Sequence, residues 1–117
     1  MIKQGELRRS ADAAWEAFSS EKPDVGIWAL RQHLELLAEL RSFSYPDKFG
    51  LDVHIVASEV RLAKLLSSKK EDRYMVKYHL DVALQTATSI NTKAFRGIST
   101  TEDLQDLIRS WDGMKLP

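Results

Sequence analysis

Residues 25–43, VGIWALRQHLELLAELRSF, and residues 52–68, DVHIVASEVRLAKLLSS, decide the fold of this chain. Both repeat apolar side chains at helical spacing, and both are apolar on more than one side. A helix at the surface of a protein needs only one apolar stripe, so helices of this kind should pack between neighbours. In the first stretch the main apolar side consists of Ile27, Leu30, Leu34 and Leu37, and Leu36 and Leu40 widen it towards a second side. In the second stretch one side consists of Val53, Val56, Ala57, Val60 and Ala63, and the other of Ile55, Leu62 and Leu66.

Amphipathic segments flank these two helices. Helical spacing predicts one helix over 5–19, another over 71–90 and a short last helix with Leu104, Leu107, Ile108 and Trp111 on its apolar side and Gly113 as its stop. Asp24 is the predicted N-cap of the second helix, and Ser99-Thr100-Thr101-Glu102 matches a capping box before the last one. The valines leave a short strand over 53–57 as the alternative, but the helical period continues to Leu66. The prediction is an all-α, compact five-helix domain built from two helical hairpins plus a closing C-terminal helix.

The composition limits the classes of protein to which this chain can belong. The chain has 117 residues, which suits one domain over 1–117. Its 17 basic and 17 acidic residues cancel, so no overall field attracts nucleic acid or an anionic membrane. There is no cysteine, and the N-terminus lacks the apolar run of a signal peptide. We expect a cytoplasmic protein without cofactor, metal or membrane partner.

Aromatic residues off the predicted core stripes are the first candidate site. Tyr74 and Tyr78 are i,i+4 neighbours on the fourth helix, opposite its apolar side. Trp28 falls on the charged side of the second helix, and Tyr45 lies in the loop that follows it. Such rings bury a large area at low entropic cost, which makes them good anchors for a protein partner. The alternative is that they pack beneath the loop or the connector over 91–99.

Basic residues are the second candidate site, because they cluster where the third helix turns into the fourth. Six of them fall between residues 61 and 77 beside only two acidic ones. A cluster at a hairpin tip can contact phosphates and so bind nucleic acid, although a solvated turn gives the same pattern. The six candidates are Arg61, Lys64, Lys69, Lys70, Arg73 and Lys77.

The histidines provide the only enzymatic alternative. Arg73 and His79 resemble the Arg-x4–6-His signature of the HEPN RNases, which are all-helical and of similar size. The resemblance implies that His79 acts as general acid or base. Two departures count against it: Tyr74 replaces the polar residue that commonly follows the Arg, and a continuous helix separates the two side chains by roughly 120°. The three histidines have no metal-ligand spacing.

The sequence therefore favours a non-catalytic protein–protein interaction module, such as an adaptor, an inhibitor or an assembly subunit. Its contact surface is predicted on the outer side of the fourth helix, and its partner is another protein or a second copy. Nucleic-acid binding through residues 61–77 is the first alternative, and a HEPN-like RNase is the second.

Overall fold

Helices account for nearly all of the chain that can be described. The computed structural model describes residues 4–20, 22–43, 50–69, 73–90 and 92–111. The predicted all-α fold is confirmed, and the described residues contain no strand, so the helix at 53–57 prevails over its alternative. The elements are α1 Gln4–Ser19, α2 Pro23–Phe43, α3 Leu51–Ser68, α4 Arg73–Ser89, a 3-10 turn Lys93–Phe95 and α5 Thr101–Ser110.

The helices follow one another in space as they do in sequence. α1 packs on α2, α2 packs on α3, and α3 packs on α4, so α1·α2 and α3·α4 form two hairpins. α5 closes the fold against α3 and α4. α2 and α3 therefore have neighbours on two sides, as their two apolar sides predict. None of the described helices is long and apolar enough to cross a membrane.

Two ion pairs hold α2 and α3 antiparallel, one at each end. Near the last turn of α2, Arg41 Nε donates to Asp52 Oδ1 at 2.6 Å. At the opposite end, the Lys69 ammonium group pairs with the carboxylate of Asp24 in the first turn of α2. The sequence predicted Asp24 as the N-cap, with Val25 as the first helical residue, and this is wrong. α2 begins two residues earlier, at Pro23, because proline suits the first helical position, so Asp24 lies within the first turn.

α3 is the centre of the core. Eleven of its 18 residues are buried, among them Val56, Ala57 and Leu62, which are fully buried. One side of α3 packs against Ala83 and Ala87 of α4 and against Leu104 and Ile108 of α5. Another side, with Leu62 and Leu66, packs against Ala14, Ile27 and Leu30 of the first hairpin. α3 thus contributes side chains to both of these apolar clusters.

The start of α5 differs from the prediction by one residue. The N-cap is Thr100 rather than Ser99, since Thr100 Oγ1 accepts a hydrogen bond from the Asp103 backbone N–H at 3.1 Å. The Asp103 carboxylate accepts in turn from the backbone N–H of Ser99 at 3.4 Å. This hydrogen bond, together with one that the Thr100 hydroxyl donates to the same carboxylate, lowers the pKa of Asp103. Asp103 therefore has the role predicted for Glu102. Gly113, the predicted stop, lies outside the described residues.

Candidate functional site

The outer side of α4 exposes large apolar side chains. Tyr74 is 82% exposed and Tyr78 is 58% exposed. Met75, which the sequence analysis did not single out, is 40% exposed and lies three residues before Tyr78, on a neighbouring part of the same turn. Tyr74, Met75 and Tyr78 are called the α4 aromatic surface below. The sequence pattern could have identified Met75, because it lies three residues before Tyr78 and outside the stripe that faces α3.

The inner side of α4 fixes the position of this surface. Only Ala83 and Ala87 of α4 are buried, and these small residues let the helix lie close to α3. His79 Nδ1 hydrogen-bonds the carboxylate of Glu59 on α3, which ties the middle of α4 to the central helix. The Tyr78 ring packs edge-on against the His79 ring, with 5.3 Å between centroids. The α4 aromatic surface is thus presented on a helix that side-chain contacts hold in place.

The other aromatic candidates lie elsewhere. Trp28 is 66% exposed on α2, beside the exposed Val25 one turn earlier. Trp28 is carried by α2, whereas Tyr74 and Tyr78 are carried by α4, and α2 and α4 each pack mainly on α3. Tyr45 lies outside the described residues. The structure therefore brings together two of the four aromatic candidates and separates Trp28 from them.

The basic candidates are similarly divided. Lys64, Arg73 and Lys77 are exposed, while Lys69 is paired with Asp24. Arg61 is only 7% exposed, and its guanidinium group lies 4.8 Å from the centroid of Trp15 and 5.7 Å from that of Phe18. Arg61 is thus removed from the surface on which the sequence placed it. Lys70 lies outside the described residues.

Arg61 belongs to a buried polar cluster that the sequence analysis did not find. Its other members are His33, 3% exposed, His54, 7% exposed, and the half-buried Ser10. The rings of His33 and His54 meet edge to face at 6.1 Å. Ser10 Oγ donates to the Leu7 carbonyl at 3.0 Å and lies 2.7 Å from His33 Nδ1. Since the serine proton is used by that carbonyl, we assign the proton between Ser10 and His33 to Nδ1.

His33 is a neutral side chain in this environment. Burial, together with the neighbouring His54 and Arg61, lowers its pKa to about 4. The 2.7 Å contact with Ser10 has the spacing of a nucleophile and its base. However, the serine proton already bonds the Leu7 carbonyl, and the imidazole is almost completely shielded from solvent. The pair therefore has the features of a structural hydrogen bond that joins α1 to α2.

The residues required for other chemistry are not brought together. Arg73 and His79 share the continuous helix α4, in which His79 is half-buried against Glu59 while Arg73 is exposed. In the described part of the chain, no three His, Asp or Glu side chains are placed to hold a metal ion. The arrangement that remains most exposed and most apolar is the α4 aromatic surface.

Comparison with protein-family models, with curated protein sequences and with solved structures finds no match for this chain.

Proposed function

We propose that this protein is a non-catalytic protein–protein interaction module that docks a partner on the α4 aromatic surface. The observation that carries the proposal is the exposure of Tyr74, Met75 and Tyr78 on two consecutive turns of one helix. Aromatic residues and methionine are enriched in the buried centre of protein interfaces, and tyrosine is among the commonest binding hot spots. Six large apolar side chains of the described residues are exposed, and these three are adjacent.

The fixed position of α4 supports this function. A surface that is already ordered loses little conformational freedom on binding, so more of its contact energy appears as affinity. Tyr78 is ordered by its contact with His79, which Glu59 anchors to α3. The partner can therefore bind a preformed helix face, without refolding of the domain.

Charge around the surface defines the partner further. Arg73 and Lys77 are exposed on the same first turns of α4. Rim charges contribute mainly to orientation and to the rate of association, and they do so by facing charges of opposite sign. The partner that fits is a protein with an apolar cleft for the two tyrosines and carboxylates that face Arg73 and Lys77. Adaptor, inhibitor and assembly subunit are all roles that such a contact can perform.

The test is an affinity purification from native lysate with three forms of the protein. These are the wild type, the Tyr74→Ala/Tyr78→Ala variant and the Trp28→Ala/Phe43→Ala variant, each analysed by quantitative mass spectrometry. The control variant removes two exposed aromatic rings that lie on α2, outside the α4 aromatic surface. A partner lost with the tyrosine variant and kept with the control is the expected result. Circular dichroism of all three should be the same.

Two results would contradict this function. If the tyrosine variant loses helicity, the two rings serve the fold rather than a partner. If both variants recover the same proteins in the same amounts, the α4 aromatic surface is not the contact. Nuclease treatment before the purification tests whether recovery depends on nucleic acid, because a protein partner should still be recovered after it.

Nucleic-acid binding is a second candidate that rests on Lys64, Arg73 and Lys77, the exposed cations near the α3–α4 turn. With Arg61 buried and Lys69 paired, fewer cations are available than the sequence count predicted. Phosphate contacts make affinity fall steeply with salt. This candidate predicts binding to RNA or DNA at low salt that Arg73→Gln/Lys77→Gln weakens; no binding at low salt would rule it out.

A further inference from the structure

A half-open pocket lies beside α3, between the apolar cluster that includes α4 and α5 and the cluster that includes Ala14, Ile27 and Leu30. Its volume is about 380 Å³, and four helices line it. α3 contributes Val60, Arg61, Ala63, Lys64 and Ser67, and the other helices contribute Phe18 from α1, Val76 and Leu80 from α4, and Gln105, Ile108 and Arg109 from α5. The pocket arises because α1 packs on α2 and α5 packs on α3 and α4, so that neither covers this part of α3.

The lining combines apolar side chains with charge of one sign. Phe18, Val60, Val76, Leu80 and Ile108 are apolar; Phe18 comes from α1 and the others come from α3, α4 and α5. Among the residues that the structure describes, the charged lining side chains are all cations, namely Arg61, Lys64 and Arg109. A concave apolar site with a few convergent polar groups is the usual form of a small-molecule site.

The cations differ in how they are held. Arg61 is fixed beneath the surface by its stacking on Trp15, with 4.8 Å between guanidinium carbon and ring centroid. Lys64 Nζ lies 5.5 Å from the Phe18 centroid. Arg109 is exposed and pairs with Asp106 at 3.4 Å, a surface ion pair that an entering anion can displace at little cost. Arginine guanidinium groups match the planar oxygens of carboxylates and the oxygens of phosphates.

We propose that this pocket binds a small organic anion, in which one carboxylate or phosphate head is attached to a short apolar body. The head meets Arg61, Lys64 and Arg109, and the body lies against Phe18, Val76 and Leu80. The volume of about 380 Å³ is at the lower end of the range for ligand pockets, so the occupant is a free small molecule and not a long-chain lipid. This site is separate from the α4 aromatic surface, since Val76 and Leu80 face inward.

Octanoate and octyl phosphate are the probes, and octylamine is the matched cation with the same chain. Each is titrated into the ¹⁵N-labelled full chain and followed by amide chemical shifts. We expect both anions to bind saturably, with shifts confined to the lining parts of α3, α4 and α5. Ligands of about ten non-hydrogen atoms reach millimolar or tighter dissociation constants at ordinary ligand efficiency. Octylamine should bind at least about tenfold more weakly, because its charge meets three cations.

Variants locate the head group. Lys64→Gln/Arg109→Gln removes two exposed cations of the lining, which leaves the core intact, and should weaken anion binding about tenfold. Lys77→Gln, an exposed cation of α4 outside the lining, is the matched control and should change affinity less than about twofold. Equal binding of octylamine and octanoate, equal effects of the two variants, or shifts that map outside the pocket would each overturn the proposal. Equal binding of acetate and octanoate would also overturn it, because the apolar body would then contribute nothing.

Discussion

The guanidinium group of Arg61 lies over the indole ring of Trp15, 4.8 Å from its centroid. The contact joins α3 to α1, two helices that belong to different hairpins. It explains why Arg61, a basic residue close in sequence to several lysines, is almost completely buried. A cation over an aromatic face is attracted by the ring quadrupole, and the attraction is strongest where water is excluded.

Trp15→Leu should therefore destabilise the fold by about 2 kcal/mol, since it removes both the cation–π contact and part of the apolar contact of the ring. Urea unfolding measures the change. Trp28→Leu is the matched control, because Trp28 is 66% exposed and its removal should cost less than about 0.5 kcal/mol. Equal losses in the two variants would mean that the ring of Trp15 does not hold Arg61.

The buried His33 predicts a pH-dependent stability. Its pKa falls from 6.5 to about 4 on folding, so the unfolded chain binds more protons than the folded chain between these values. Stability contributed by the neutral imidazole is complete above pH 6.5 and is lost as the pH falls through 4. The loss over this window should total about 3 kcal/mol, at most about 1.4 kcal/mol per pH unit.

His33→Asn isolates this contribution from the carboxylates that titrate in the same window. The asparagine amide can still donate to Ser10 Oγ in place of Nδ1–H, and it does not titrate. Urea unfolding of both proteins at pH 7, 6, 5 and 4.5 should give stabilities that converge as the pH falls. Parallel curves would show that His33 is not the group responsible.

The helices could be predicted from the sequence because their buried side chains repeat with the helical period, and α3 keeps that period through Leu66. The start of α5 was wrong by one residue because two capping patterns overlap, Ser99 with Glu102 and Thr100 with Asp103. The sequence alone does not select between them.

The polar cluster could not be predicted, since its members meet only in the folded chain. Ser10 and His33 are 23 residues apart, and nothing in the neighbourhood of either residue specifies the other. Arg61 is also an ordinary basic residue in its local context, and its burial depends on Trp15 of another hairpin. For the α4 aromatic surface, by contrast, the helical period of the apolar residues indicated correctly that Tyr74 and Tyr78 lie off the core stripe. The function of these two residues stays a prediction.

Thr100→Ala tests the observed cap of α5. It removes the acceptor for the Asp103 N–H and should cost about 1 kcal/mol in urea unfolding, with faster amide exchange in the first turn of α5. Thr88→Ala is a control in which the same substitution has the opposite expected sign. Thr88 is exposed in α4 and bonds the carbonyl of Leu84, so alanine there should raise helix propensity. A cost for Thr88→Ala as large as that for Thr100→Ala would argue against a capping role.

Gly26 lies where α2 crosses closest to α1 and α3. A Cβ at this position would be 2.6 Å from Leu65 Cδ1 and 3.3 Å from the Ala17 carbonyl oxygen. The leucine methyl can move, but the backbone carbonyl cannot, so Gly26→Ala should separate α1 from α2 and destabilise the protein by about 1–3 kcal/mol. Alanine in a helix brings a gain of up to about 1 kcal/mol through its helix propensity, which opposes this cost, so the sign of the change in the free energy of unfolding shows which effect prevails.

Gly5→Ala in α1 is the matched control, since the nearest atom to its Cβ is Arg9 Nη1 at 3.7 Å, and it should be neutral or stabilising in urea unfolding. Stabilisation by both substitutions would mean that the helices do not touch at Gly26.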